Sequence, residues 1–154
     1  MNKFYVAYGS NLNVKQMATR CPGAEPIGTA FLYDHRLTFK GHRNGTYGVL
    51  TVDPRKGYDV PVAVWKLQPG NETSLDQYEG FPHLYRKEYH DLVVRLFDTG
   101  EELLLPCMLY RMTPGHHLAL PTQRYFETCR TGYQDFGFDQ DYLLGACWAS
   151  KRRA

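Results

Sequence analysis

Between residues 30 and 112 the sequence reads as strand after strand, with only one short helical stretch among them. Residues 30–39, 48–52, 60–67, 85–97 and 101–112 carry the apolar, β-branched and aromatic runs of strands. Pro61 falls at the start of its strand, where a missing N–H is tolerated, and Asp53-Pro54 is expected to end the one before it. Asp98-Thr99-Gly100 between the last two is a hairpin signal. Helical periodicity sits at the two ends. Val14, Met17, Ala18 and Cys21 share one face, and Cys21-Pro22-Gly23 stops that helix. Tyr125, Cys129, Tyr133 and Phe136 line a face in the C-terminal third, and Asp139 is placed to cap a last helix through Trp148. Strands that do not alternate with helices predict an α+β fold with a mostly antiparallel or mixed sheet, not a doubly wound nucleotide-binding fold. Neither Gly-x-Gly-x-x-Gly nor Gly-Lys-Ser/Thr occurs.

The N-terminal strand ends abruptly. Phe4-Tyr5-Val6-Ala7-Tyr8 runs into Gly9-Ser10-Asn11-Leu12, and the first helical face follows. A strand, a tight turn and a helix N-terminus in sequence would point several backbone N–H groups at one spot, suited to a carboxylate or an oxyanion. The same pattern also suits a core strand followed by a helix capped by Ser10 or Asn11.

A second segment, Leu75-Asp76-Gln77-Tyr78-Glu79-Gly80-Phe81-Pro82, reads as the end of a short helix capped at its start by Asn71 or Ser74, Ser74 and Gln77 having capping-box spacing. Gly80 stops it. Glu79 thus falls at the negative end of a helix, beside Tyr78, Phe81 and Tyr85. The dipole and partial desolvation both act to raise its pKa, toward a value useful to a general base near neutrality. A surface glutamate at a frayed helix end would look the same in sequence.

At 154 residues the chain is read as a single domain, residues 1–154, long enough to bury a real core. A net charge of +2 is too small to imply nucleic acid, and Lys151-Arg152-Arg153 reads as a solvated tail. No apolar run approaches the roughly 18 residues of a membrane span, and no signal-peptide pattern opens the chain. Residues 40–45 are polar, and Asn44-Gly45 suits a tight turn. Cys21, Cys107, Cys129 and Cys147 are scattered without a Cys-x-x-Cys pair, which fits a reduced cytoplasmic protein with buried thiols. His116-His117 lacks the partners of a zinc set and reads as loop. Ser10 lacks the Gly-x-Ser-x-Gly frame of a nucleophile elbow. With 12 tyrosines, a core or pocket wall with polar tips is expected.

Taken together, Tyr5-Val6-Ala7-Tyr8-Gly9-Ser10-Asn11-Leu12 and Leu75-Asp76-Gln77-Tyr78-Glu79-Gly80, with Pro121, Tyr125 and Gly132 farther on, resemble the γ-glutamylcyclotransferase family, which includes the AIG2-like proteins. The match in order and spacing runs from about residue 4 to residue 148. The resemblance implies a small mixed β-barrel flanked by helices with a single cavity. It implies release of 5-oxoproline from a small-molecule γ-glutamyl amine, without metal or cofactor, and gives no oligomeric state. It assigns Glu79 as acid/base, the Tyr5–Ser10 segment (Tyr5, Val6, Ala7, Tyr8, Gly9 and Ser10) to the glutamyl head, Asn11 to orienting the turn, and Tyr125 to substrate contact.

The chemistry suits these residues. In a γ-glutamyl amide the substrate's own α-amine can attack the γ-carbonyl, so no enzyme nucleophile is needed. A single carboxylate can take a proton from the amine and return it to the leaving nitrogen. No arginine is fixed by the motifs for the α-carboxylate, and Arg36, Arg86 and Arg111 stay open. Residues 81–86 are placed to wall the leaving-group side, with a small or flat leaving group favoured. Two other readings remain: a non-catalytic module binding γ-glutamyl or amino-acid-like ligands, and a hydrolase or acyl-transfer enzyme with Cys107 or Cys129 as nucleophile.

Overall fold

The computed structural model describes residues 2–41 and 47–153, residues 152 and 153 by their backbone alone. Its elements follow the order β1 (Lys3–Ala7), a 3-10 turn (Ser10–Leu12), α1 (Val14–Arg20), β2 (Glu25–Gly41), β3 (Gly48–Leu67), α2 (Asn71–Glu79), β4 (Tyr85–Leu96), β5 (Glu102–Met112), α3 (Gln123–Asp135) and α4 (Asp141–Arg153). The strands close into a barrel in the order β1-β3-β2-β4-β5. All pairings are antiparallel except the closing one, where β1 meets β5 in parallel at Tyr5 and Met108. The fold is therefore α+β with a mixed barrel. No helix among the described residues is long and apolar enough to cross a membrane.

The hairpin between β4 and β5 falls where Asp98-Thr99-Gly100 places it, with Gly100 at φ +74°. The β2–β3 ribbon is longer than expected. Strand β2 starts at Glu25, and β3 runs unbroken through Asp53-Pro54 to Leu67. Two features let Pro54 and Pro61 sit inside it. β1 pairs only with residues 63–67 of β3, so both prolines lie where β3 has a partner on one side alone. Pro54 also opposes His35 at a register shift beside Asp34, whose φ is +58°. The turn expected at Asn44-Gly45 lies outside the described residues.

Helix starts differ as well. Asn13, not Ser10 or Asn11, caps α1, its side chain accepting from Gln16 N at 3.0 Å. Gly70 in the left-handed conformation precedes α2. Neither Asn71 nor Ser74 caps it: the Asn71 side chain accepts from Gln68 N, and Ser74 Oγ points back to the Gly70 carbonyl. At the C-terminus, Asp139 accepts from Asp141 N as α4 begins, and that helix continues past Trp148 to Arg153.

The core fills the barrel and spreads under α3, whose Cys129 and Tyr133 are fully buried. Gly132 sits where α3 crosses the 3-10 turn. A Cβ there would lie 2.6 Å from Asn13 N and 2.7 Å from Leu12 Cβ, closer than packed atoms tolerate. This bare patch lets α3 rest directly on the turn that follows β1. Gly132→Ala should therefore cost roughly 1–3 kcal/mol, read in thermal denaturation as a Tm drop of about 2–10 °C. An unchanged Tm would mean that α3 does not bear on the turn so closely.

Candidate active site

One end of the barrel opens into a cavity of roughly 220 Å³ walled by Tyr5, Tyr8, Gly9, Ser10, Asn11, Tyr47, Val49, Leu50, Tyr78, Glu79, Leu84, Tyr85, Tyr110 and Tyr125. Each segment reaches it for a local reason. Strand β1 delivers Tyr5, Tyr8 follows its end, and the turn beyond delivers Gly9, Ser10 and Asn11. Turn hydrogen bonds run from Leu12 N to Gly9 O and from Asn13 N to Ser10 O, both 3.0 Å, using the carbonyls of Gly9 and Ser10 rather than their N–H groups. Because α1 starts only at Val14, its N-terminus is offset from the Gly-Ser-Asn segment, contrary to the sequence expectation. Tyr125 sits in the first turn of α3, where Thr122 Oγ1 accepts from its N–H at 3.1 Å.

Glu79 is the last residue of α2 and is locked in place by the helix's ending. Gly80 adopts φ +65°, its N–H bonding to Gln77 O at 3.3 Å, while Phe81 N bonds to Asp76 O at 2.9 Å. This pair of bonds is a Schellman ending. Glu79 is part-buried in the cavity wall, and burial of its carboxyl pushes its pKa up to about 8, against a smaller lowering by the Arg20 guanidinium. Asn11 Nδ2 donates to Tyr5 Oη at 2.8 Å and approaches Glu79 Oε1 at 3.4 Å.

The hydroxyls divide by what they do with their protons. Tyr8 donates to the Tyr110 carbonyl at 2.6 Å, Tyr85 to the Leu50 carbonyl at 2.5 Å, and Tyr110 to Asp76 Oδ1 at 2.5 Å. Tyr78 shares a 2.9 Å bond with Ser10 Oγ. Tyr5 and Tyr125 instead accept, from Asn11 Nδ2 and from Leu50 N at 3.0 Å. The Tyr5 proton is thereby left to offer to a ligand in the cavity, while the Tyr125 hydroxyl also hydrogen-bonds to the Cys129 thiol. Burial raises the pKa of Tyr5, Tyr8, Tyr78, Tyr85, Tyr110 and Tyr125, so all six stay neutral near pH 7 and Glu79 is the group among them that titrates there.

The sequence-derived candidates distribute unevenly. Glu79, Tyr5, Tyr8, Gly9, Ser10, Asn11 and Tyr125 converge on the cavity. Val6 and Ala7 do not reach its wall; they are fully buried in β1. Of residues 81–86 only Leu84 and Tyr85 line it, while Phe81 stacks against Lys87 Nζ, 4.3 Å from the ring centre. The three open arginines are elsewhere. Arg111 and Arg86 pair with Glu88 at 2.7 and 3.6 Å, and Arg36 lies over Tyr58. Cys107 and Cys129 are fully buried off the cavity wall, their thiols pushed by burial up to about 11 and about 12. They are poorly suited to act as nucleophiles. Among the described residues no group of three or more His, Cys, Asp or Glu is placed to hold a metal.

Sequence reasoning misses Arg20, Tyr78 and Tyr110. Tyr78 is signalled only by adjacency to Glu79. Tyr110 sits in an apolar strand run, and Arg20 carries no local mark beyond being the last residue of a short helix.

Residues 5–128 match the family model described as gamma-glutamyl cyclotransferase, AIG2-like. The gamma-glutamylcyclotransferases of Mus musculus and Bos taurus are 29% and 30% identical to the chain over 143 residues, 90% of this chain and 73% of each relative. A solved gamma-glutamyl cyclotransferase structure superposes with a TM-score of 0.79 at 28% identity, covering 95% of this chain and 86% of that one.

The raised pKa of Glu79 has a consequence for stability that is independent of any reaction. Below about pH 4.5 the carboxyl is protonated in both folded and unfolded chains. Between about 4.5 and 8 the unfolded chain ionises while the folded one resists, so stability falls as pH rises. Above about 8 the loss is complete and constant. Glu79→Gln removes this titration, so the Tm of the variant minus that of wild type should grow from pH 4.5 to 8 and then level off. A difference independent of pH would place the carboxyl in water.

Proposed function

The chain belongs to the gamma-glutamyl cyclotransferase, AIG2-like family, and we propose that it is a γ-glutamyl cyclotransferase that closes the glutamyl moiety to 5-oxoproline in this cavity, with Glu79 carrying the protons. The observation that supports this most directly is a single carboxyl with a pKa near 8 on an otherwise neutral, phenol-rich wall.

An α-ammonium group has an ordinary pKa of about 8 and an unperturbed glutamate about 4.3. Moving a proton from one to the other would cost on the order of 5 kcal/mol. Glu79 at about 8 brings that cost close to zero, so the free amine is reached without a strong base. The amine nitrogen then attacks the γ-carbonyl carbon, and the carbonyl oxygen takes the electron pair. Glu79 delivers its proton to the leaving nitrogen and takes the one still surplus on the ring nitrogen. The C–N bond to the leaving amine breaks as the carbonyl reforms. A second delivery from Glu79 yields the leaving group as an ammonium ion. The two protons shed by the α-nitrogen are those gained by the leaving nitrogen, and Glu79 ends ionised, as it began.

The hydroxyl of Tyr5 and the backbone N–H groups of the Gly9–Asn11 turn are the neutral donors for the developing oxyanion and the α-carboxylate. Folding the glutamyl chain so that amine and carbonyl meet adds a positioning advantage.

The direct test is 5-oxoproline release from γ-glutamyl amino acids, γ-glutamyl-ε-lysine, γ-glutamyl alkylamines and glutathione, run with wild type and Glu79→Gln. Wild type should turn over at least one class, and the variant should lose roughly 10²–10⁴ in kcat while keeping ligand binding. For the active substrate, kcat/KM should rise about tenfold per pH unit below pH 8, because only ionised Glu79 accepts a proton. Normal turnover by Glu79→Gln would remove Glu79 from this role, and a plateau reached by pH 5–6 would contradict the raised pKa.

A further inference from the structure

Arg20, at the end of α1, is tied to no carboxylate among the described residues: its Nη1 donates to Asn11 Oδ1, its Nη2 to Gln16 Oε1 at 3.1 Å, and its guanidinium carbon lies over the Tyr78 ring, 3.3 Å from the ring centre. These contacts are all with neutral groups, and two of the segments that wall the cavity, the turn after β1 and the end of α2, meet at them. We propose that Arg20 is the positioning residue of this active site, holding the Asn11 amide in the one orientation that turns its NH₂ group toward Tyr5 and Glu79.

Donor and acceptor chemistry fixes the amide. A guanidinium only donates, so the Asn11 atom facing it must be the carbonyl oxygen. The NH₂ group is then forced to the opposite side, where it reaches Tyr5 Oη at 2.8 Å and Glu79 Oε1 at 3.4 Å. Without Arg20 the amide is free to rotate by half a turn and present its oxygen to Glu79. That would remove a donor from the ionised carboxylate and from Tyr5, and with it the reason the Tyr5 proton faces the cavity. The cation–π contact with Tyr78 fixes the other side of the site, since Tyr78 directly precedes Glu79 and its hydroxyl is bonded to Ser10. Lysine cannot reproduce this planar, forked arrangement.

Charge acts in the same direction. Around Glu79 stand the phenols of Tyr5 (β1), Tyr8 and Tyr78, Tyr85 (β4), Tyr110 (β5) and Tyr125 (α3), all neutral near pH 7. Among the described residues Arg20 is the charged group acting on Glu79, and it favours the ionised carboxylate.

This inference rests on the cyclotransferase reading for its kinetic arm and stands apart from it in its titration arm. In full-length chain carrying ¹³C-labelled glutamate, the Glu79 carboxyl is titrated by NMR in wild type, Arg20→Met and Arg20→Lys, and kcat and KM for 5-oxoproline release are followed against pH. Arg20→Met should raise the Glu79 midpoint by about half a unit or more and lower kcat roughly tenfold or more with KM changed much less. Arg20→Lys should bring the midpoint back toward wild type while leaving kcat low, because charge returns and orientation does not. The inference is overturned if Arg20→Met keeps the wild-type midpoint and kcat, or if Arg20→Lys restores kcat in full. Should Arg20→Met fail to fold, a folded Arg20→Lys decides the matter alone: low kcat with a near-wild-type midpoint supports the positioning role, and full kcat overturns it. If wild type releases no 5-oxoproline while the midpoints shift as described, the cyclotransferase reading fails and the electrostatic part of Arg20's role stands.

Discussion

Keeping the Glu79 carboxyl largely desolvated is the constraint that the rest of this barrel mouth answers to. Raising a glutamate to about 8 means that ionising it in place costs on the order of 5 kcal/mol relative to water. That is a sizeable share of the stability of a domain of this size. The position is sustained by rigid surroundings. The residue ends a helix whose last turn is closed by two backbone bonds through Gly80 and Phe81, so it cannot swing out by fraying. The helix is itself pinned to the sheet. Lys87 of β4 bridges Glu72 and Asp76 at 2.6 and 2.9 Å, and Asp76 also receives the Tyr110 hydroxyl. Charges along the outer side of α2 thus hold steady the one carboxyl that faces the cavity.

The cavity wall follows from the same constraint. A cation on the wall would drag Glu79 back toward an ordinary carboxylate pKa, and a second carboxylate would drive it higher. Phenols avoid both. They supply hydrogen-bond donors without charge, and their burial keeps them neutral. The division of their protons is set by the backbone. Three hydroxyls spend their protons on two strand carbonyls and Asp76, while Tyr5 and Tyr125 are turned into acceptors by Asn11 and by Leu50 N–H. One wall of similar side chains therefore holds both structural and ligand-facing hydroxyls, and burial alone does not tell them apart.

Much of this is legible in the chain because it is encoded locally. The β4–β5 hairpin, the glycine ending of α2 and the placement of Glu79 beside it each depend on a few adjacent residues. Sequence alone ends β3 too early at Asp53-Pro54, because Pro54 is tolerable only if the neighbouring strand has already ended, and β1 is five residues long for reasons the β3 sequence does not contain. Val6 and Ala7 share the motif of Tyr5 and Tyr8 yet face the core, since a motif marks a segment and not the side of it that meets the cavity. Tyr85 and Tyr110 arrive from two strands whose registers only the closed barrel sets.

Arg20 illustrates the limit most clearly. Nine positions separate it from Asn11, and nothing in that spacing announces contact. The 3-10 turn at Ser10–Leu12 and the late start of α1 at Val14 fold the helix back so that its last residue returns to the turn that preceded its first. The offset that displaces the α1 N-terminus from the Gly-Ser-Asn segment is the same offset that brings the α1 C-terminus to it. The helix therefore contributes to the site through the side chain of Arg20 at its far end rather than through the dipole at its near one.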